Sequence, residues 1–529
     1  MGSRLSLLSA LALSACAGPG SPDADGQRQS AIAVVETTKL TIAASQENDF
    51  FGRWIASAGD VDGDGFDDVV VGSFADDNGG DSGVAYLLYG SGGGLTAASA
   101  LRFTASDNEE YDLFGDSVSG AGDVNGDGYD DVVIGATSAD GVGVNTGAAY
   151  VYLGSASGLD LGSEVKLTGA TGLGFSVASA GDVNADGYDD LVIGYPGDSE
   201  LVMGAGAAFV FLGRPSGIDP TTELRISSPS QALGDGFGYS VSGGGDVNGD
   251  GYDDIVVGRS RQGWANQDAA TFEAGAAYVF LGSPTGIDTA SGVMLQAAVG
   301  SIYDRFGDAV GTGGDVNGDG YDDVVVGALW GPTVGGPGAA YVYLGSALGI
   351  DPSSEVFLAP AGLSEQSWFG RTVTLAGDLD ADGYDDLVVG APKSQVAGVE
   401  MGATWIYAGG PGGIDPAGGQ VLKASDGLEH DNFGYRVALA DINGDGADDA
   451  LIAAVASDVP VTGAGSAYVF EGPPPAGDDD DSSGDDDSAP EGDGAGPGCD
   501  AGQAPVPWAA TVLVLGVLTR RRRTQAPAR

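Results

Sequence analysis

Side-chain oxygens recur in this chain on alternate positions of a nine-residue stretch, D-x-(D/N)-x-D-G-x-D-D, which occurs seven times. The copies begin at Asp60, Asp123, Asp182, Asp246, Asp315, Asp378 and Asp441. Carboxylates at the first, third, fifth and ninth positions, with a backbone carbonyl at the seventh, make an all-oxygen cage for a hard cation. The first copy offers Asp60, Asp62, Asp64, Asp68 and the carbonyl of Phe66. The second offers Asp123, Asn125, Asp127, Asp131 and Tyr129, and the third Asp182, Asn184, Asp186, Asp190 and Tyr188. The fourth has Asp246, Asn248, Asp250, Asp254 and Tyr252; the fifth Asp315, Asn317, Asp319, Asp323 and Tyr321. The sixth has Asp378, Asp380, Asp382, Asp386 and Tyr384; the seventh Asp441, Asn443, Asp445, Asp449 and Ala447. Glycine at the sixth position permits the sharp turn that brings these atoms together. Oxygen ligation without Cys or His favours Ca²⁺ over zinc, and Mg²⁺ wants a smaller octahedron and keeps its waters. Asp, Asn and Gly also make good plain turns, but that explains one copy and not seven that all keep the ninth Asp. Up to seven structural Ca²⁺ ions are expected.

The elements that carry these loops follow from the second repeat. Phe114-Gly115 leads into Ser117–Gly122, a strand of small residues suited to an inner position beside a central channel. Beyond the loop, Val132-Val133-Ile134-Gly135 is a continuous apolar run, as expected of a strand covered on both faces. Ala148–Gly154 gives a third strand, and Val165–Thr168 alternates as a polar outer fourth. Seven repeats of four antiparallel strands predict an all-β, seven-bladed β-propeller over residues 37–472. The seventh repeat ends after its third strand, Ala467–Phe470, while Lys39–Ile42 precedes the first. That N-terminal segment is expected to supply the missing outer strand and so remove the open edge of the ring.

Composition narrows the function. The formal net charge is −56, from 76 Asp+Glu against 20 Lys+Arg, which repels nucleic acid and anionic membranes and favours cations. Seven bound divalent ions would leave roughly −42. The two cysteines, Cys16 and Cys499, lie outside the repeats, so no disulfide braces them and no thiolate metal site is available there. A single histidine, His430, excludes His-rich zinc sites and leaves little room for a Ser-His-Asp triad. No paired nucleophile accompanies it, so no catalytic residue and no enzymatic activity is assigned.

The ends read as addresses. Residues 1–16 form a signal segment, with Arg4 as its basic start and Leu5–Ala12 as its apolar core. Leu13-Ser14-Ala15-Cys16 resembles a bacterial lipoprotein cleavage box, with Cys16 as the lipidated residue; the alternative is an ordinary signal peptide cut near Ala17. Residues 17–36 are a linker. Residues 473–498, with the Asp478–Asp487 run, are an acidic, self-repelling spacer. Residues 499–529 hold Cys499, the apolar Trp508–Leu518 stretch and Arg520–Arg523. That tail resembles the C-terminal sorting tails of myxobacterial surface proteins, and alternatively is a weak membrane anchor. Either end places the protein outside the cell, at a bacterial outer membrane or cell surface, or released from it.

The ordered recurrence of Phe-Gly, the acidic loop, a Val-Val-Val-Gly-Ala run and Gly-Ala-Ala-Tyr-Val-Tyr-Leu-Gly resembles the FG-GAP repeats of the integrin α-subunit propeller. Leu173-Gly174 replaces Phe-Gly in the third repeat, and Gly-Ala-Pro is complete only at Gly390-Ala391-Pro392. The resemblance implies that partners bind the face opposite the acidic loops. That face is expected to carry Tyr111, Tyr303, Arg305, Trp330, Trp368, His430 and the blade-four insert with Arg259, Arg261 and Trp264. Arg and Trp on one loop suit an interface hot spot, unless Trp264 packs on its own loop and the arginines balance nearby Asp. The function expected is a calcium-stabilised adhesion or protein-recognition module. The alternative is a lectin-like module for glycans, or the non-catalytic companion of a surface enzyme.

Overall fold

A computed structural model describes residues 32–473, except 43–47, 74–81, 108, 141–145, 170–171, 261–274, 299–303, 332–335, 376, 459–460 and 462. Seven four-stranded antiparallel sheets are arranged as blades; in blades one to six the strand order follows the chain, and in blade seven an N-terminal strand lies outermost. Blade two is representative: Phe114–Gly122 is innermost, followed by Asp131–Ala136, Ala148–Leu153 and Asp160–Leu167. The second and third strands are buried along nearly their whole length, which is why they read as unbroken apolar runs.

No blade has a core of its own. One apolar cluster joins Val70, Leu87 and Phe103 of blade one to Phe114, Ile134 and Tyr152 of blade two. Equivalent clusters fill every junction, and the last joins Leu451 and Val469 of blade seven to Val69 and Val71 of blade one. Stability therefore resides in nearest-neighbour interfaces, as in other repeat architectures, but here the array closes on itself.

Closure uses the N-terminal strand, at a different place from the one expected. Val35–Leu40, not Lys39–Ile42, pairs antiparallel with Ser466–Glu471, from Val35 opposite Glu471 to Leu40 opposite Ala467. The strand thus begins inside the stretch taken as linker, and Ile32 is already buried against blades six and seven.

The Phe-Gly pairs fasten blades on the face opposite the acidic loops. The Phe114 N–H donates to Ser82 of blade one at 2.9 Å, and the ring is buried in the junction. Gly115 has φ +86°, and a Cβ there would sit 2.4 Å from the Val84 carbonyl oxygen, so only glycine permits this approach. Phe51, Phe237, Phe369 and Phe433 repeat the arrangement, with Phe51 tying blade one to Gly465 of blade seven. Leu173 occupies the same buried position in blade three.

Candidate metal loops and the axial mouth

Each acidic loop links the first two strands of its blade, so all seven share one face. The loops are organised by their own carboxylates. In loop one, Asp60 accepts from the Asp64 N–H (2.9 Å) through Oδ1 and from the Gly65 N–H (2.9 Å) through Oδ2. The first-position Asp does the same in the other six loops. Two backbone bonds leave lone pairs on each carboxylate for a cation.

The third position tests whether a cation fits. Asp62 Oδ1, Asn125 Oδ1, Asn184 Oδ1 and Asp380 Oδ1 are buried acceptors with no donor. An orphaned buried acceptor is costly, and four at one loop position point to a missing positive group. In loops four, five and seven, the third-position oxygen of Asn248, Asn317 and Asn443 accepts from the fifth-position N–H at 2.9 Å. Carboxylate oxygens of Asp60, Asp62 and Asp64 lie within 4.8 Å of one another, as do those of Asp378, Asp380 and Asp382. A hard divalent cation fits this donor set. The fifth-position Asp of every loop also accepts from the N–H at position seven, at 3.0–3.2 Å.

The ninth-position Asp does more than face a cation. Asp68, Asp131, Asp190, Asp254, Asp323, Asp386 and Asp449 are fully buried. Asp68 Oδ2 accepts from the Val61 N–H (3.1 Å) and Oδ1 from the Gly90 N–H (2.8 Å), joining the loop to the end of the third strand. Burial is the main reason these carboxyls rise, to about 7 at Asp68, Asp254, Asp323 and Asp449 and about 8 at Asp131, Asp190 and Asp386.

The eighth position, to which the sequence reading gave no role, is a clasp between blades. Asp130 Oδ2 of blade two accepts from the Asp60 N–H of blade one at 2.8 Å, while the Asp130 N–H donates to the Asp60 carbonyl at 3.2 Å. Asp189, Asp253, Asp322, Asp385 and Asp448 repeat it, and Asp67 closes the circle on Asp441 at 3.2 Å. The signal was in the motif, since an Asp stands at this position in all seven copies.

On the opposite face, the residue after each Phe-Gly or Leu-Gly pair forms a ring around the axis. In chain order these are Arg53, Asp116, Phe175, Tyr239, Asp308, Arg371 and Tyr435. Several of them touch the next in that order. Arg53 pairs with Asp116 at 3.2 Å and donates to the Tyr435 hydroxyl, to which Arg371 also donates at 3.3 Å. Phe175 packs on Tyr239 with ring centres 5.1 Å apart. Arg436, one residue beyond Tyr435, places its guanidinium carbon 3.8 Å from the centre of the Trp54 ring. The ring opens into an axial cavity of about 350 Å³, walled below by the β-branched residue four positions after each Phe, such as Val118, Val241 and Val373.

The proposed contact residues are not gathered into one site. Arg259 is buried beside Asp235 at 3.3 Å, with both side chains at most 2% exposed, so it presents no cation to a partner. Its place in the strand Asp254–Arg259 turns it inward. Tyr111 and His430 are exposed, and His430 Nδ1 lies 3.3 Å from Glu400. Trp330 and Trp368 are half-buried beneath Arg305 (5.5 Å) and Lys393 (5.7 Å). Arg305 also pairs with Asp308 at 2.9 Å and so belongs to the mouth. Arg261, Trp264, Tyr303 and Cys16 lie outside the described residues.

Comparison with known proteins agrees with this architecture. FG-GAP repeat profiles match residues 114–152, 173–211, 237–280, 306–343, 369–407 and 419–470, which are blades two to seven. The chain is 33% identical to mouse (Mus musculus) integrin alpha-IIb over 224 residues, covering 41% of this chain and 21% of that one. It is 35% identical to Xenopus laevis integrin alpha-5 over 226 residues, with 41% and 20% covered. It is 36% identical to Drosophila melanogaster integrin alpha-PS5 over 169 residues, with 31% and 16% covered. The chain thus spans about a fifth of the length of these relatives. With the blade geometry, these matches show that blades two to seven are FG-GAP repeats in a β-propeller similar to that of integrin α chains.

Proposed function

We propose that this protein is a calcium-loaded, non-enzymatic recognition module working outside the cell. Its acidic loops fasten the ring, and its opposite face meets the partner. The observation that carries the metal reading is the set of buried third-position oxygens without donors at Asp62, Asn125, Asn184 and Asp380. Calcium would be held by the first-, third- and fifth-position oxygens with the ninth-position Asp behind, and would neutralise carboxylates that otherwise repel one another. Similarity to integrin α chains supports adhesion as the use to which such a ring is put. An N-terminal lipid at Cys16, or the C-terminal tail, would hold the module at the surface.

The test is retention of extracellular or envelope proteins on the immobilised full chain, in calcium and after chelation. Selective retention in calcium, lost on chelation and restored by Ca²⁺ but not by Mg²⁺, is the expected result. Equal retention in both conditions, or none in calcium, removes this reading.

A further inference from the structure

The mouth of the axial cavity holds an electrostatic imbalance that the propeller does not resolve internally. Three arginines, Arg53, Arg371 and Arg436, line it, Arg305 reaches it through Asp308, and Asp116 and Asp308 are the carboxylates among the lining residues. Each Asp is already engaged, with Arg53 or with Arg305. Among the described residues, Arg371 donates to the Tyr435 hydroxyl and lies over its ring, with Asp308 as a more distant carboxylate, and no carboxylate pairs with Arg436. Arg436 is 91% buried by accessible area (9% exposed), and its Nε has no hydrogen-bond partner. Burying an unpaired guanidinium is strongly unfavourable unless an anion completes it. Burial first, then Arg371, pushes the Arg436 pKa well below its usual value. Burial would raise the Tyr435 hydroxyl, but Arg371, Arg53 and Arg436 outweigh it and bring it down to about 8.

We infer that this mouth is a carboxylate site, filled by an acidic side chain of a partner's peptide segment lying between Arg371, Arg436 and Tyr435. The inference rests on the recognition reading above and names the chemistry recognised. A guanidinium is suited to a carboxylate, which it can hold with two parallel hydrogen bonds. The wall below the arginines sets valines between Ser57, Ser119, Ser240, Ser242 and Thr372, and one neighbouring feature favours a peptide over an acidic sugar. A second cavity of about 430 Å³, lined by Tyr195, Pro196 and glycines, shares Phe175 and Tyr239 with the mouth and offers room for an apolar neighbour of the acidic residue.

The test uses the full-length protein with calcium and a labelled peptide carrying Leu next to Glu, its Gln twin, free acetate and glucuronate. The readouts are anisotropy and the tyrosinate absorbance of Tyr435 titrated from pH 7 to 10. The Glu peptide is expected to bind at least tenfold tighter than the Gln twin and to move the Tyr435 titration upward, because it neutralises the cations that lower it. Arg371→Gln and Arg436→Met are each expected to lose tenfold or more in binding. Arg436→Met should melt no lower than wild type, since it removes a buried unpaired charge; a merely structural arginine would give a lower melting temperature. Equal binding of the Gln twin, unchanged binding by both variants, or no effect of any carboxylate on Tyr435 overturns the site. Acetate matching the peptide, or arginine-dependent binding of glucuronate alone, overturns the peptide assignment. If wild type and Arg371→Gln retain the same envelope protein, the recognition reading stands and this inference falls. If the peptide binds but no protein is retained, the reverse holds.

Discussion

Removing calcium tests the loops most directly, and the structure sets the scale. Within loop one, the carboxylate oxygens of Asp60, Asp62 and Asp64 lie within 4.8 Å of one another. Two such charges repel by about 1 kcal/mol in a water-like dielectric and about 3.5 kcal/mol at an effective value of 20. The backbone bonds of Asp60 and Asp64 oppose movement of those two acids, whereas Asp62 Oδ1 has no hydrogen bond to hold it. By linkage, a site at about ten times its Kd adds on the order of 1.4 kcal/mol, and seven sites add roughly 10 kcal/mol. For a ring of about 440 residues the unfolding entropy near the midpoint is about 0.9 kcal/mol/K, so the shift is on the order of 10 °C. Calorimetry of the full chain in millimolar Ca²⁺, in EGTA, and in EGTA with excess Mg²⁺ measures it. The melting temperature is expected to drop by about that amount in EGTA and to stay low with Mg²⁺. The same melting temperature in calcium and in EGTA would refute structural metal binding.

The loops should fall into two classes, because Asp62 and Asp380 add a carboxylate where the other five loops have Asn. Calorimetric titration should resolve two tight sites before five weaker ones, and Asp62→Asn with Asp380→Asn should abolish the tight class; a single class in wild type contradicts this. Deleting Val35–Leu40 bares the edge of Ser466–Glu471 and loses the buried Leu40. Leu40 alone contributes about 2 kcal/mol, and the lost strand pairing about 1 kcal/mol per hydrogen bond. The truncated ring should therefore melt several degrees lower and self-associate through its open edge, as sedimentation would show. In chelator, the ninth-position carboxyls titrate at about 7 to 8 when folded against 3.8 when unfolded, so the folded state binds the protons. Their contribution is complete below the unfolded value and is lost as pH rises through the folded one. The melting temperature in EGTA should fall steadily from pH 5 to 8, and a rise over that range would contradict the burial of these groups.

Much of the propeller was legible because its cause is periodic. An inter-blade core needs the same apolar run in every repeat, so Val132–Gly135 announces a buried strand without its neighbours being known. The unequal roles of two adjacent Asp residues were harder to read. Positions eight and nine look like one acidic pair, yet Asp131 turns into its own blade and Asp130 turns to the neighbour's backbone. The mouth was missed for the opposite reason. Arg53 and Tyr435 are 382 residues apart and meet only because the ring closes. The series Arg, Asp, Phe, Tyr, Asp, Arg, Tyr has no period to notice, and it stands out only when the residue after each Phe-Gly is read down the repeats. Arg259 misled because an Arg beside a long insert looks exposed, while its partner Asp235 sits on the preceding connection and draws it inward.

The two faces obey different requirements, and that difference explains where variation is tolerated. A clasp works only if every junction has one, because a single open junction would bare an edge of the ring. Asp60 shows how tightly its parts are linked. Its N–H is held by Asp130 of the next blade while its carboxylate holds the turn of its own loop. A cation in loop one therefore steadies the very residue to which blade two is fastened, and the same relation passes from loop to loop until Asp67 and Asp441 complete it. Such a chain of nearest-neighbour couplings constrains all seven loops together. The mouth has no such constraint. Seven strands converge there on one axis, so a single recognition site needs seven different residues rather than seven copies of one. In a chain carrying −56, three arginines lining that axis, one of them buried with no carboxylate partner among the described residues, run against the overall composition. A cost of that kind, which hydrophobic packing could have avoided, is what a site maintained for an anionic partner would impose.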